Sequence, residues 1–482
     1  MITAVIMAGG RGERLWPRST TDMPKQFQCF VGNTTLLQQA FARVSSLVPP
    51  SQVFVVTGRQ HAQMTRLQLP QVPQENVIVE PIGRDTAPCI GLAAVHIQKK
   101  YPESIMIVVP ADHYVGCNEE FMSTLSAAVE AAQSEPVLVT IGMKPTRPET
   151  GYGYVQVGAK KHLVANQWAH DVVRFIEKPQ LEKALEMCQS DDHLWNSGMF
   201  VWRTEVILKS MAMHLPELHS GLEEIGGAIG APEESDVVGR TFPLLPKISI
   251  DYGVMEKADR VLVIPASFNW DDLGNWVAVE RAAQGSDERG NNVSGRVGII
   301  DAKNCVIQDD EGVTVAIGVQ DLVVVRSKEA LLVCSKERVQ DVKKAVVLAE
   351  GLCSDTCFET EEYRVVDKPW GREIWWAVTE AYVGKILEVK AGHSLSLQYH
   401  QRKLETMFFQ RGRGTLVLNG AERTIRQGMA VTIRPGTLHK IVAESDLTIL
   451  EVSTTELDDV VRVQDSYGRA QTSPKVTASR QE

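Results

Sequence analysis

The chain opens Met1-Ile2-Thr3-Ala4-Val5-Ile6-Met7-Ala8-Gly9-Gly10-Arg11-Gly12-Glu13-Arg14-Leu15-Trp16-Pro17. The run Ile2–Ala8 is apolar and has no basic segment before it. It ends in glycines where a signal peptide would place its cleavage site, so it reads as a buried first strand. Glycines directly after such a strand let the backbone approach a phosphate closely and aim several N–H groups at it. Arg14 and Lys25, the second in Pro24-Lys25-Gln26-Phe27, are cations at hand to neutralise a triphosphate or a departing diphosphate. No Gly-Lys-Ser/Thr follows at the spacing of a Walker loop. On its own, the segment reads equally as a tight surface turn with solvated charges.

Working outward, Val53–Thr57, Ile105–Val109 and Val137–Ile141 are further short apolar runs of the doubly buried kind. Helical patterns at Thr34–Leu47, Ala87–Lys100 and Glu119–Gln133 alternate with them. That alternation predicts an α/β domain, Rossmann-like, with a mixed but mostly parallel sheet over residues 1–288. Ligands of such sheets sit beyond the carboxyl ends of the strands. The pattern changes after a polar, turn-rich segment at 287–292. Short β-type runs at Val297–Ile300, Val306–Ile307, Val313–Ile317 and Leu322–Val325, then a helix at Lys336–Ala349, predict a small β-helix-like unit over 289–352. A linker is expected at 353–361. Turn signals at Ala391-Gly392, Gly412–Gly414, Asn419-Gly420 and Pro435-Gly436 predict a small β-barrel over 362–472, with a disordered tail at 473–482.

At 482 residues the chain is too long for one ordinary core, which agrees with this division. A net charge of -10 without a basic stripe argues against nucleic acid as a partner. No apolar run is long enough for a membrane span. The eight cysteines are scattered between Cys29 and Cys357, the pattern of reduced thiols in a cytoplasmic protein.

Other candidate residues stand at strand ends and loops. Asp112 follows a strand in Val108-Val109-Pro110-Ala111-Asp112-His113; alone it reads as well as a helix cap. Asp272, in Asn269-Trp270-Asp271-Asp272-Leu273-Gly274, offers it a partner, and two carboxylates sharing phosphate oxygens suit Mg²⁺. The loop Glu80-Pro81-Ile82-Gly83-Arg84-Asp85-Thr86-Ala87-Pro88 opens a helix and could read a base. Glu149-Thr150-Gly151-Tyr152-Gly153-Tyr154 is a turn able to lie against a sugar. Glu177-Lys178 pairs an acceptor for hydroxyls with a cation for a phosphate. Asn196 and Asp251 add polar groups. Each alone is as readily structural.

Taken in order, these motifs resemble the nucleotide-diphospho-sugar pyrophosphorylases, and among them the GDP-mannose pyrophosphorylase branch. The Gly-Arg-Asp-Thr-Ala-Pro, Pro-Lys-Gln-Phe and Ser-Ile-Asp-Tyr segments carry that narrower likeness. The resemblance implies conversion of GTP and mannose 1-phosphate to GDP-mannose and diphosphate, by a cytoplasmic homo-oligomer. It implies that Ala8, Gly9, Gly10, Arg11, Gly12, Glu80, Arg84, Asp85 and Thr86 bind the nucleotide. Arg14 and Lys25 stabilise the leaving diphosphate, and Asp112 and Asp272 hold Mg²⁺. Lys178 holds the sugar phosphate, while Gly151, Glu177, Asn196 and Asp251 contact the sugar. Two positions depart from the family pattern: Arg11 replaces a small residue and Asp85 replaces the usual Asn.

The third region carries Gln398 and His400, then Glu405 and His439, all residue types that ligate metals. Two apart on a strand, Gln398 and His400 face the same way. Ordinary strand histidines would look the same. The region resembles a cupin, specifically the cupin half of bacterial enzymes joining mannose-1-phosphate guanylyltransferase to type II mannose-6-phosphate isomerase. Lys368-Pro369-Trp370-Gly371 and Asp458-Asp459-Val460-Val461-Arg462 support the likeness. It implies a divalent metal such as Zn²⁺ on Gln398, His400, Glu405 and His439, and mannose 6-phosphate or fructose 6-phosphate as further ligands. Gln401-Arg402-Lys403-Leu404-Glu405-Thr406-Met407 departs from the histidine-rich family stretch. Other readings stay open: a transferase whose cupin binds metal or sugar phosphate without isomerising, or a regulatory protein that senses GDP-mannose.

Overall fold

The computed structural model describes residues 1–482 except 11, 284, 329, 356–363, 457–458, 466 and 468–482. It divides into two compact units, Met1–Gly351 and Leu352–Glu482.

The first unit is built on a nine-stranded sheet. In chain order its first strands are β1 (Ile2–Ala8), β2 (Val53–Gly58), β3 (Val77–Glu80) and β4 (Ile105–Pro110). A short β5 (Tyr114–Val115) follows, then β6 (Leu138–Met143), β7 (Gly153–Val164) and β8 (Gln167–Glu177). Last come β9 (His193–Arg203), β10 (Val261–Ala266) and a short β11 (Trp270–Asp271). The sheet order is β3-β2-β1-β4-β9-β6-β10-β8-β7, and β5 pairs separately with β11. β1 runs parallel to both β2 and β4, and β6 parallel to β10, whereas β9 is antiparallel to β4 and β6. This is the α/β sheet expected from the alternation of short apolar runs with helices. Its two faces carry separate apolar cores, because the central strands are buried on both sides.

The helix Leu36–Val44 starts in a capping box, with Thr35 and Gln38 exchanging side-chain and backbone bonds. Asp85 caps the helix Thr86–Lys100 from φ 70° and ψ -177°, a strained backbone region that residues with a side chain rarely adopt.

Strands Asn292–Ile300, Val306–Ile317 and Leu322–Arg326 stack in parallel, and Leu331–Ser335 closes the set antiparallel, giving the β-helix-like unit. It shares one apolar core with the α/β half: Leu15, Trp276 and Leu273 pack with Val306, Val323, Val339 and Val342. After it, a 3-10 segment Lys336–Asp341 leads into a helix Val342–Asp355. The helix thus runs past the point where the linker was expected to begin. Gly351 alone, without a proline, costs too little to end it. The rest of that linker, and the tail at 473–482, lie outside the described residues.

The second unit is two antiparallel sheets of six and five strands closed over their own core, including Phe409, Leu416, Ile441 and Ile449. It is the small β-barrel expected from the turn spacing, as the resemblance to a cupin also implied.

Candidate active site and cupin metal cluster

β1 delivers the glycine turn to the carboxyl edge of the sheet, and β4, its neighbour, delivers Asp112 beside it. A Cβ on Gly10 would stand 3.6 Å from Asp112 Oδ2, and one on Gly9 3.5 Å from Glu80 Oε2. Gly12 has φ 63°, and a Cβ there would come within 2.5 Å of Lys25 Cβ. The turn thus lies beside β3 and β4, and at its last position, packed on Lys25, only glycine fits.

Lys25 is buried, and its Nζ donates to Asp112 Oδ2 at 2.9 Å and to the Asp272 carbonyl oxygen at 2.5 Å. One ammonium thus ties together segments from three distant parts of the chain. Burial pushes the Asp112 carboxyl up, but Lys25 and His113 outweigh it and hold Asp112 below the usual range. Asp272 Oδ1 accepts from the Tyr152 hydroxyl and from the Gly274 N–H, both at 2.8 Å. Gly12, Arg14, Lys25, Asp112 and Asp272 line one cleft of about 310 Å³.

A second cleft of about 380 Å³ adjoins it through Asp112 and is lined by Gly9, Gly10, Glu80, Arg84, Asp85, Thr86 and Asp251. Glu80 is buried, its Oε1 has no hydrogen-bond partner, and burial raises its carboxyl to about 7. Arg84 lines the cleft but turns its guanidinium Nη2 onto the carbonyl oxygen of Pro243. Ala8 faces away: its carbonyl oxygen accepts from Gln26 Nε2 and Thr57 Oγ1, so it supports the turn from beneath. Arg11 lies outside the described residues.

Asp251 joins this cleft to the remaining candidates. Asn196 Nδ2 donates to Asp251 Oδ1 at 2.7 Å, while Asn196 Oδ1 accepts from Thr140 Oγ1. Burial, with Glu177 nearby, raises the Asp251 carboxyl to about 6. Glu177 Oε1 pairs with Lys178 Nζ at 2.9 Å, and Lys178 is mostly exposed. A Cβ on Gly153 would meet Glu177 Oε2 at 2.5 Å, so that glycine makes room for the carboxylate. Gly151 stays at the surface, its N–H bonded to Glu149 Oε1. The adjoining tyrosines do not lie open as a sugar platform. Tyr154 is fully buried, its hydroxyl donating to the Glu149 carbonyl oxygen, and Tyr152 braces Asp272.

Other contributors were given no such role from the sequence. Tyr152 and Arg147, from one loop, form a bracket around the distant Asp271 and Asp272. His113 is half-buried against Trp270 at 5.4 Å between ring centroids, and desolvation lowers its pKa. Adjacency to Asp112 was the one available clue to it.

In the cupin unit, His400, Glu405 and His439 are buried and converge on Glu405 Oε1, at 3.3 Å from His400 Nε2 and 3.1 Å from His439 Nε2. Each ring's Nδ1 bonds to a backbone oxygen, of Asp459 for His400 and of Thr437 for His439. With Nδ1–H donating outward, each Nε2 presents a lone pair inward, the donor arrangement of a divalent metal site. Gln398 lies alongside, Nε2 at 3.4 Å from His439 Nε2, its Oε1 accepting from Ser396. A half-turn of the amide brings that oxygen to the cluster. Lys403 is buried between Glu405 Oε2 and Glu451 Oε1, at 2.6 and 2.7 Å.

A glycine turn and paired acids at the carboxyl edge of this sheet define a nucleotidyltransferase architecture. Residues 3–289 match the nucleotidyl transferase family, 295–348 the mannose-phosphate isomerase/GMP-like β-helix domain, and 385–453 the cupin domain. A mannose-1-phosphate guanylyltransferase of Klebsiella pneumoniae is 35% identical over 97% of this chain and 100% of its own length. The alginate biosynthesis protein AlgA of Pseudomonas putida is 31% identical over 98% of this chain and 97% of its own. A crystal structure from Thermus thermophilus, described as a mannose-1-phosphate geranyltransferase, is 37% identical with a TM-score of 0.65, over 72% of this chain and 99% of that one. The chain belongs to the family of bacterial mannose-1-phosphate guanylyltransferases. Among the described residues no helix is long and apolar enough to cross a membrane, and Cys29, Cys89, Cys117, Cys188, Cys305 and Cys334 are free thiols.

Proposed function

We propose that this chain transfers GMP from GTP to mannose 1-phosphate, releasing diphosphate. The observation that carries the reading is the Lys25 ammonium tied at once to Asp112 and to the Asp272 backbone beneath the glycine turn. That arrangement suits a triphosphate, and the Klebsiella relative with the same activity in its name aligns over its whole length. In this reading residues 1–288 are the transferase domain, 289–352 the β-helix-like domain, and 362–472 the cupin domain.

The backbone of Gly9, Gly10 and Gly12 cradles the phosphates. Thr86 and Asp85, at the start of their helix, and Glu80 face the base. Guanine offers two adjacent donors, N1–H and the 2-amino group, and the carboxylate of Glu80, whose Oε1 has no hydrogen-bond partner, is the matching acceptor. Glu177, Asn196 and Asp251 take sugar hydroxyls, and Lys178, exposed at the edge, takes the sugar phosphate. The phosphate oxygen of the monoester is already anionic near neutral pH, so attack on the α-phosphorus needs no general base. Arg14 and Lys25 stabilise charge on the diphosphate as the bond to it breaks. Catalysis is then positioning and electrostatics.

Asp112 and Asp272 fit Mg²⁺: both are hard oxygen donors on the same cleft, and Gly10 leaves the space above Asp112 open. Bound there with the nucleotide, Mg²⁺ would neutralise charge shared between the phosphates. The direct test is diphosphate release from each nucleoside triphosphate with mannose 1-phosphate.

A second activity is favoured by the cupin cluster. The cavity beside His400 and Glu405 is lined by Lys368, Lys385 and Arg462, cations suited to a phosphate next to a divalent metal such as Zn²⁺, and by Lys403, which Glu405 and Glu451 already pair. We infer that mannose 6-phosphate or fructose 6-phosphate binds there. An isomerase assay with and without chelator tests whether the bound sugar phosphate also turns over.

A further inference from the structure

We propose that the segment following the β-helix reaches back into the triphosphate cleft: Gln340 holds Arg14 in place and Lys343 supplies a further cation to the outgoing diphosphate. The inference rests on the guanylyltransferase reading of that cleft. Lys343 lines it together with Gly12, Arg14, Lys25, Asp112 and Asp272. Two contacts cross between the glycine turn and this segment. Arg14 Nη1 donates to Gln340 Oε1 at 2.8 Å, and Lys343 Nζ pairs with Glu13 Oε2 at 3.2 Å.

The charges are arranged for a phosphate to take over. Lys25 is already paired with Asp112. Gln340 is neutral, so it orients Arg14 without cancelling its charge. Lys343 is 70% exposed and, among the described residues, ion-paired with Glu13 alone, so it can exchange that carboxylate for a phosphate oxygen. Burial of the adjoining residues keeps both sides rigid. Leu15, next to Arg14, and Val342, next to Lys343, pack in the same core with Leu273, next to Asp272. The β-helix-like unit thereby sets the position of the loops that meet the phosphates.

Lys343→Met tests this, with Lys344→Met as control, since Lys344 pairs with Asp341 and does not line the cleft. A charge-assisted contact at a partly open site is worth about tenfold in binding. Lys343→Met is expected to raise the KM for GTP and weaken inhibition by diphosphate by about that factor. The KM for mannose 1-phosphate and the melting temperature stay unchanged, and Lys343→Arg restores the parent values. Gln340→Glu, which pairs Arg14 with a charge, is expected to lower kcat. If the wild type is active and Lys343→Met leaves GTP and diphosphate binding unaltered, the inference is overturned while the guanylyltransferase reading stands. If the wild type releases no diphosphate from GTP, both fall together.

Discussion

Asp271 and Asp272 are neighbours in sequence with opposite surroundings. Asp271 is buried, its Oδ2 bound by Arg147 at 3.2 Å and by Arg281 at 2.9 Å, while its Oδ1 accepts the Leu273 N–H. Asp272 is anchored through one oxygen by Tyr152 and Gly274 and faces the cleft. In the proposed reading Asp271 is the strut and Asp272 the working carboxylate. Asp271→Ala leaves two arginines without their shared anion and is expected to destabilise the protein by about 3 kcal/mol. Asp272→Asn keeps both anchoring bonds possible, so the fold should hold while kcat falls by about a hundredfold or more. Denaturant melts and steady-state rates on the two variants separate the roles; equal stability losses would refute the division.

Glu80 is buried at a cost that depends on pH. Burial raises its pKa from 4.5 to about 7. The folded state therefore favours the protonated carboxyl, and the cost of folding with Glu80 grows as pH rises from the unfolded value through about 7. The conversion of that shift is about 3 kcal/mol at pH 8. Glu80→Gln should accordingly raise stability more at pH 8 than at pH 5. In the proposed reading the same change removes the acceptor for guanine, so the KM for GTP should rise. In the wild type kcat/KM for GTP should fall as pH drops through about 7. A flat profile there would exclude Glu80 as the base reader.

Gly153 makes a sharper test of the sugar side. Alanine at this position would place its Cβ 2.5 Å from Glu177 Oε2, and the tip of a flexible side chain can move. Gly153→Ala should fold normally, displace Glu177 and raise the KM for mannose 1-phosphate several-fold, with the KM for GTP unchanged. Parallel changes in both constants would point away from Glu177 as a sugar contact.

The cupin cluster predicts stoichiometric metal. After dialysis against Zn²⁺, Mn²⁺ or Co²⁺, elemental analysis should find about one ion per chain in the wild type and none in His400→Ala/His439→Ala. Diphosphate release should be the same in both. Retention of metal by the double variant would place the site elsewhere.

Much of this arrangement could be read from the sequence because it is local. Ile2–Ala8 is continuous and apolar, so its burial followed at once, whereas the glycines after it read equally as a surface turn until the other motifs were taken with them. Asp112 could be placed because a strand end fixes where the next residue stands. The rest depends on contacts far apart in the chain. Lys343 meets Glu13 across most of the first unit, and nothing in the helical pattern around it marks that reach. The glycine–tyrosine turn was expected against the sugar, but burial of both rings won, since an aromatic side chain gains more from a core than from an open cleft. Lys403, a departure from the family stretch, is accommodated because two glutamates, Glu405 and Glu451, flank it; only Glu405 is near it in sequence.

The central claim is tested most directly by mixing the purified full-length chain with Mg²⁺, mannose 1-phosphate and each nucleoside triphosphate in turn, and measuring diphosphate release. The account predicts release with GTP, little with ATP, UTP or dTTP, and loss of the GTP signal in Asp112→Asn that remains folded. Folded wild-type protein that binds GDP-mannose but releases no diphosphate from any nucleotide would contradict it and leave a nucleotide-sugar sensor in its place.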